Sequence, residues 1–233
     1  MPAIKDLSAL FEQKPTTKRG QRTSDSLLAA AKEVFEEVGY EKATTAEISR
    51  RAKVAEGTLF LHFKSKIGLM QAMMIAFYQE LYEEGSKQAM EAEPLERLQK
   101  MLTHYITKLE ANWSTIKIFA AHGRLGNQES MMMFHDLNKY YCDLYLGLFE
   151  TLQKEGAFKR NIRPQTIRDT LFGAIEHYAI SHFVAGRRAD TGAYLEDLWS
   201  LVFDGILVDK SRYGIHLEHI DQKLDQLLHI KRP

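Results

Sequence analysis

The sequence feature that most restricts the fold of this chain is the stretch 44–66, TTAEISRRAKVAEGTLFLHFKSK. Thr44 followed by Glu47 has the form of a capping box, which predicts a short helix that ends near Ala52. After a three-residue corner, a second short helix is predicted over residues 56–63. Two short helices joined by such a corner are the plan of a helix-turn-helix, whose second helix can lie in a DNA major groove.

The second helix separates its residues onto two faces. Leu59 and Phe63 share the inner, apolar face, and the outer face carries small or polar residues together with one leucine: Gly57, Thr58, Leu61 and His62. Gly57 allows close approach to a base edge, Thr58 offers a hydroxyl and a methyl group, and Leu61 suits a thymine methyl. The outer face is therefore the predicted DNA-reading surface.

A protein–DNA interface also needs groups that hold the phosphate backbone. We expect this role for side chains that flank the two helices, namely Thr45, His62, Lys64 and Lys66. Residues 1–22 form a poorly patterned basic arm that is predicted to be flexible. Its Arg19 and Arg22 can reach phosphates or an adjacent minor groove, and a leader without DNA contacts is the alternative.

Charge is distributed unevenly although the whole chain is formally neutral. Residues 1–66 carry 12 Lys and Arg against 9 Asp and Glu, and the remainder carries 19 against 22. A basic N-terminal part on an acidic body is typical of a DNA-binding module attached to another domain. A solvated charged face is the alternative explanation.

Residues 54–66, VAEGTLFLHFKSK, resemble the signature of the TetR family of bacterial transcription regulators. The upstream Thr44, Thr45 and Ile48 fit the same pattern, as does a helix that ends at Val38-Gly39-Tyr40. The resemblance covers about residues 24–74. It implies a helix-turn-helix domain followed by a helical body that dimerises and binds an effector, with DNA released when the effector binds.

The chain departs from the family pattern at several positions. Phe60 and Leu61 stand where the family often has tyrosines that donate to phosphate, and Lys53 replaces a small turn residue. Ala55 is a poor N-cap for the second helix. Gly68 stands where acidic residues are common, and we expect it to weaken the first turn of the next helix by about 1 kcal/mol.

The rest of the chain shows helical periodicity and no strand pattern, which predicts an all-α protein. A connecting helix is expected from Ser65 through Leu81. Further helices are predicted over residues 94–109, 114–122, 128–155, 164–185 and 193–208. We divide the chain into a basic arm, a DNA-binding domain, a ligand-binding and dimerisation domain and an amphipathic extension: residues 1–22, 23–70, 71–209 and 210–233.

The last two long helices carry apolar side chains on more than one face. Such helices need a second partner surface, which predicts a homodimer through a four-helix bundle, with Phe172, Trp199 and Phe203 at the interface. A helix fully internal to the monomer is the alternative. A two-fold dimer of recognition helices would read an inverted repeat with half-sites about 34–36 Å apart.

An effector pocket is predicted among the helices of residues 95–185. Its candidate lining consists mainly of methionine and aromatic side chains: Met101, Tyr105, Phe119, Met133, Phe134, Tyr141, Tyr145, Phe172, His177 and Tyr178. Such a lining suits a hydrophobic or aromatic effector, for example a fatty acyl compound or a lipophilic drug. Plain core packing is the alternative for each residue.

Other functions find little support in the sequence. No catalytic motif is recognisable, and no metal site is expected because His216 and His219 lack a third ligand; we expect no cofactor. Cys142 is the single cysteine, which favours a reducing cytoplasm, and no secretory signal or bilayer-spanning run is present. The protein is thus expected in the cytoplasm, on the nucleoid when bound to DNA. The remaining alternatives are a regulator of this architecture without an effector and an all-α enzyme.

Overall fold

The computed structural model describes residues 17–89, 92–125, 128–183 and 190–208. Nine helices lie in these ranges: α1 Lys18–Val38, α2 Thr45–Arg51, α3 Glu56–Phe63, α4 Lys66–Ala89, α5 Pro94–Ala111, α6 Trp113–Leu125, α7 Gln128–Lys154, α8 Pro164–Phe183 and α9 Thr191–Ile206. Extended pairing in the described residues is limited to one isolated bridge between Phe158 and Leu207. The predicted all-α class is confirmed.

The described residues form two compact units that do not follow the predicted domain limits. The first unit runs to Glu83 and resumes over Asn112–Tyr141, and the second comprises Glu84–Ala111 and the described residues from Cys142 onward. The first unit is therefore larger than the DNA-binding domain expected over residues 23–70. The limits of the two units depend on contacts between residues that are distant in the chain, and periodicity does not reveal such contacts.

Helix α1 begins earlier than the sequence suggested. The Gly20 amide donates to the Thr17 hydroxyl at 3.1 Å, so Thr17 is the N-cap. The Gln21 side chain donates to Asp25 one turn later at 2.7 Å. Residues 18–22 are thus helical, and the prediction of a flexible arm over residues 1–22 is wrong for this part; residues 1–16 lie outside the described ranges.

The first three helices share a small apolar core. Helix α1 buries Leu27, Ala31 and Phe35, with exposed fractions of at most 1%. Ile48 of α2 and Leu59 of α3 are both 0% exposed. One fully buried residue from each short helix is enough to fix its inner face, because burying an aliphatic side chain contributes about 1.5–3 kcal/mol.

The remainder of the first unit is built on aromatic contacts. The Phe77 ring of α4 lies 6.2 Å from the ring of Phe119 on α6. Tyr78, next along α4, lies 6.4 Å from Phe134 and 6.5 Å from Tyr141 of α7. These contacts assign the first part of α4 to the same unit as the helix-turn-helix and explain why the predicted boundary at residue 70 does not match the compact units.

The second unit packs α5, α8 and α9 together with the later part of α7. Tyr105 of α5 and Tyr145 of α7 lie 5.0 Å and 4.8 Å from the ring of Phe172 on α8. A second aromatic row joins Phe158 to Phe203 at 5.5 Å and Phe203 to Trp199 at 4.0 Å. This unit owes its packing to large rings whose edge and face contacts add to their burial.

Helix ends elsewhere differ from expectation by a few residues. Helix α4 continues through Gly85 to Ala89, where the pattern had predicted an end near Leu81. Helix α9 begins at Thr191 because the Asp190 carboxylate accepts from the Ala193 amide at 3.1 Å. The predicted extension over residues 210–233, with its two histidines, lies outside the described residues. None of the described helices is long and apolar enough to cross a membrane.

Candidate nucleic-acid interface

The first helix of the helix-turn-helix starts as predicted. The Glu47 amide donates to the Thr44 hydroxyl at 3.2 Å, which satisfies one of the free donors of the first turn of α2. In a complete capping box, the Glu47 carboxylate would also accept from the Thr44 amide. It accepts hydrogen bonds from Arg50 and Arg51, at 2.7–3.0 Å.

The corner between α2 and α3 is a Schellman motif. The Lys53 amide donates to the Arg50 carbonyl at 3.2 Å, and the Val54 amide donates to the Ser49 carbonyl at 3.0 Å. Lys53 has φ 58°, a left-handed conformation that costs a non-glycine residue roughly 1 kcal/mol. Lys53 in place of the small turn residue of the family therefore makes this corner less stable.

An ion cluster ties α2 to α1. The Arg51 guanidinium contacts the carboxylates of Glu37 and Glu47, and Glu33 lies 3.9 Å away. The hydrogen bonds from Arg50 and then from Arg51 lower the pKa of Glu47 to about 2, and the Arg51 hydrogen bond lowers the pKa of Glu37. The cluster fixes the orientation of α2 relative to α1 through solvent-accessible charges.

Helix α3 presents the predicted faces. Leu59 is fully buried against the core, whereas Leu61 is 82% and Phe60 46% exposed. Gly57 is exposed, and a Cβ built at that position would meet nothing within 4 Å. Thr58 and His62 are half-buried. The outer face of α3 is thus open, as a helix that enters a DNA groove requires.

Thr45 and Glu56 link the first residues of the two short helices. The Thr45 hydroxyl donates to Glu56 Oε1 at 2.6 Å. Thr45 was predicted to hold a phosphate, and in this structure its proton is directed to a carboxylate of the recognition helix. Glu56 carries no distinguishing signal in the sequence, because a glutamate in the first turn of a helix is an ordinary feature.

Lys66 has a different environment from the one predicted. Its ammonium donates to the carbonyls of Tyr40, Glu41 and Ala43 at 2.8, 3.3 and 3.1 Å, and lies 4.5 Å from the centre of the Tyr40 ring. An ammonium has three N–H donors, so these three carbonyls use all of them. The geometry corrects the phosphate assignment: Lys66 fastens the first turn of α4 to the loop that follows α1.

Gly68 fills a position that no other residue can occupy unchanged. A Cβ there would lie 2.1 Å from the Phe63 carbonyl oxygen, far below any real contact distance. The Gly68 amide also donates to the Ser65 hydroxyl at 3.0 Å, the cap of α4. The expectation that Gly68 merely weakens this turn is wrong, because the glycine lets the end of α3 and the start of α4 approach closely.

The other predicted contact residues lie at the surface of the first unit. Arg19 and Arg22 are exposed on the first two turns of α1. Lys64 is exposed at the end of α3 with φ 63°. These three cations and His62 stay predicted phosphate contacts.

The ten predicted pocket residues divide between the two units. Phe119, Met133, Phe134 and Tyr141 belong to the first, and the other six belong to the second. In the second unit, Phe172 is enclosed by Tyr105 and Tyr145. His177 is exposed and lies near the Ser181 hydroxyl at 3.4 Å, which places it on the surface of α8. A role of the buried residues in effector binding stays a prediction.

The residues predicted at the dimer interface are core residues of the single chain. Phe172, Trp199 and Phe203 are 5%, 4% and 2% exposed. A side chain already buried within one chain has no surface to offer to a second copy, so the assignment of these three is corrected. Among the described side chains of α8 and α9, the exposed large apolar residues are Ile180 and Leu201, at 41% and 77%.

These elements together define a class of protein. A capped α2, a tight corner and an open α3, anchored on a third helix, form a helix-turn-helix with the geometry of a DNA-reading module.

Comparison with known proteins makes the assignment specific. The family described as "Bacterial regulatory proteins, tetR family" matches residues 27–73. The chain is 24% identical over 184 residues to the fatty acid metabolism regulator protein of Bacillus subtilis. The alignment covers 77% of this chain and 93% of that protein. It is also 27% identical over 197 residues to the HTH-type transcriptional repressor KstR2 of Rhodococcus jostii. That alignment covers 81% of this chain and 92% of KstR2.

A solved structure supports the fold over both units. The transcriptional regulator FadR from Bacillus subtilis in complex with stearoyl-CoA aligns with a TM-score of 0.71 at 22% identity, covering 78% of this chain and 98% of that one. Residues 27–73 therefore match the DNA-binding domain of the TetR family, and the chain is similar over most of its length to transcriptional regulators.

Proposed function

We propose that this protein is a ligand-responsive repressor that binds an inverted-repeat operator as a homodimer and is released by a hydrophobic effector. The observation that carries the proposal is the open outer face of α3, formed by Gly57 and Leu61 on a helix whose inner residue Leu59 is fully buried. A rigid helix with an open outer face suits insertion into the major groove.

The homodimer places two recognition helices on one side of the DNA. Helices α8 and α9 each present glycine and an exposed aliphatic residue: Gly173 and Ile180 on α8, Gly205 and Leu201 on α9. A Cβ built at either glycine meets nothing within 4 Å, so both positions leave room for close approach of another helix. This face replaces the buried residues as the proposed interface.

The Leu201→Asp variant tests that interface. A charge at the centre of an apolar contact should convert the dimer to a monomer in sedimentation analysis while the helical content stays unchanged. Met131→Asp, at an exposed methionine of α7 that is 44% exposed, is the matched control and should leave the dimer intact. A Leu201→Asp protein that stays dimeric contradicts the proposed face.

The effector is proposed to be a long-chain acyl thioester. Two lines of support point to this class: the relative named as a fatty acid metabolism regulator and the aligned FadR structure with stearoyl-CoA. The second unit of this chain has an apolar interior, with Phe172 between two tyrosines. The phenol groups can serve as polar handles in an otherwise apolar site.

Operator binding is tested with the DNA upstream of the protein's own coding region, since such regulators often control adjacent genes. A gel shift should show tighter binding to this DNA than to unrelated DNA of equal length, with affinity falling steeply as salt is raised. Equal affinity for both DNAs at every salt concentration would contradict a specific operator function.

Effector binding is tested by titrating the protein–DNA complex with stearoyl-CoA, with coenzyme A and stearate as controls. Stearoyl-CoA should release DNA and raise the melting temperature of the free protein, because a ligand that binds the folded state stabilises it. DNA binding without any response to acyl thioesters would favour a regulator of this fold that lacks such an effector.

A further inference from the structure

We propose that Glu56 reads a cytosine in each half-site and that Thr45 orients its carboxylate for this contact. The inference rests on the proposed DNA-binding function and goes beyond it by assigning a base to a named residue. None of the residues predicted from the sequence to contact DNA carries a negative charge, so Glu56 differs from all of them in chemistry.

The position of Glu56 is favourable for base contact. It is the first residue of α3, and the N-terminal residues of a recognition helix are those that contact base edges. Its side chain is exposed, and the next residue, Gly57, adds no side chain that would keep a base edge away.

The carboxylate is held by a residue that is distant in sequence. Thr45 and Glu56 are 11 residues apart, on different helices, and the hydroxyl of Thr45 donates to Glu56 Oε1 at 2.6 Å. An ionised carboxylate can accept about four hydrogen bonds on its two oxygens, so one bond from Thr45 leaves it able to accept others. The Thr45 bond lowers the entropy cost of presenting the carboxylate in one direction.

Cytosine is the base whose chemistry fits this group. In the major groove, cytosine presents the N4 amino donor, whereas guanine and thymine present only acceptors as polar groups. Adenine presents an N6 amino donor beside the N7 acceptor, and N7 repels the second oxygen of a carboxylate. A carboxylate accepts from the cytosine amino group and repels acceptor edges and phosphates. Glu56 should therefore lower affinity for DNA in general and restore it where a cytosine is placed opposite, which is a specificity device.

The test begins with selection of binding sites from a random duplex library by the full chain and by its Glu56→Gln and Glu56→Ala variants. The wild type should select an inverted repeat with one symmetric cytosine, which it prefers about ten-fold or more over the other bases. Glu56→Gln should shift that single position toward adenine, because glutamine pairs with adenine N6 and N7. Glu56→Ala should lose the preference there and bind random DNA at least as tightly.

The atomic test removes the N4 amino group of that cytosine by incorporating 2-pyrimidinone. The change should weaken wild-type binding about ten-fold and leave Glu56→Ala binding unchanged, a coupling that a purely structural role of Glu56 would not produce. Thr45→Ala should still prefer cytosine but discriminate less strongly against the other bases. Thr45→Ser keeps the hydroxyl and should restore the full discrimination.

The outcomes separate the two proposals. If the wild type selects no sequence, the proposed operator function itself fails. If it selects a clear inverted repeat but all three proteins discriminate equally at every position, only the assignment of Glu56 is overturned. Melting curves of each variant establish that it is folded, and the 2-pyrimidinone measurement decides the case if Glu56→Gln binds DNA too weakly for selection.

Discussion

The helix-turn-helix and the second unit are stabilised by different interactions. Around α2 and α3, polar contacts and close backbone approach supplement the small apolar core: Arg51 with its carboxylates, Lys66 on three carbonyls, and Gly68 against the Phe63 carbonyl. In the second unit, rings such as Phe172 and Phe203 fill the space between long helices. The difference follows from size, because helices of seven and eight residues bury too few side chains to be held by apolar packing alone.

The comparison also shows where function constrains each region. The outer face of α3 must stay open for DNA, so the supporting contacts lie behind and beside it. The interior of the second unit does not have to stay open for DNA, and bulky residues such as Phe172 fill it. Each of the following predictions tests one side of this contrast.

The largest effect is expected in the second unit. Phe172→Ala removes the ring between Tyr105 and Tyr145 and should lower the free energy of unfolding by about 4 kcal/mol, measured by denaturant titration. Phe172→Leu keeps most of the volume and should cost less than half as much. If the Phe172→Ala protein keeps its stability and only becomes monomeric, the result would support the predicted role of Phe172 at the dimer interface.

The next effect is at the junction of α3 and α4. Gly68→Ala should lower the free energy of unfolding by about 3 kcal/mol, because the new methyl group meets the Phe63 carbonyl and the backbone must move. Gly147→Ala is the matched control in the second unit, because a Cβ there meets nothing within 4 Å. This change should raise the free energy of unfolding by about 1 kcal/mol. Stabilisation by both changes would contradict the close approach between Gly68 and the Phe63 carbonyl.

Lys66 gives an intermediate effect with a distinctive signature. Lys66→Met keeps the aliphatic stem and removes the donors to three carbonyls, which should lower the free energy of unfolding by about 2 kcal/mol. The slope of DNA affinity against salt should stay the same, because the ammonium is not on a phosphate. Lys64→Gln is the control and should reverse the pattern, with unchanged stability and a salt slope smaller by about 1.

The smallest effect concerns the ion cluster in acid. The pKa of Glu47 is lowered from 4.5 in the unfolded chain to about 2 in the folded one, so this carboxylate stabilises the fold above pH 4.5 and the contribution is lost as pH falls toward 2. Glu47→Gln should therefore be less stable than the wild type near neutral pH, and the two melting temperatures should converge near pH 2. A difference that is constant over this range would exclude the ionised Glu47 as its source.

Local sequence chemistry was sufficient for much of the helix-turn-helix. The hydroxyl cap at Thr44, the extent of α3 over residues 56–63 and the burial of Leu59 followed from residue type and spacing. The family signature then agreed with the independent match over residues 27–73. Such features are local, since each depends on groups within one or two helical turns.

Residue roles were harder to predict than elements. Lys66 and Thr45 are polar residues beside a recognition helix, and nothing in their spacing distinguishes a phosphate contact from an internal one. The same holds for Phe172, whose apolar character fits a dimer interface and a monomer core equally well. In each case the decision depends on which atoms of distant residues lie within a few ångströms.

The sequence by itself therefore determined the helical class, the position of the helix-turn-helix and the family of this DNA-binding domain, because periodicity, caps and a contiguous motif are properties of neighbouring residues. Only the tertiary structure decided that Lys66 fastens α4 to the loop after α1, that Gly68 is sterically required and that Glu56 meets Thr45 across the corner. These roles arise from contacts between residues 5 to 26 positions apart in the chain, and such contacts exist only once the helices have packed.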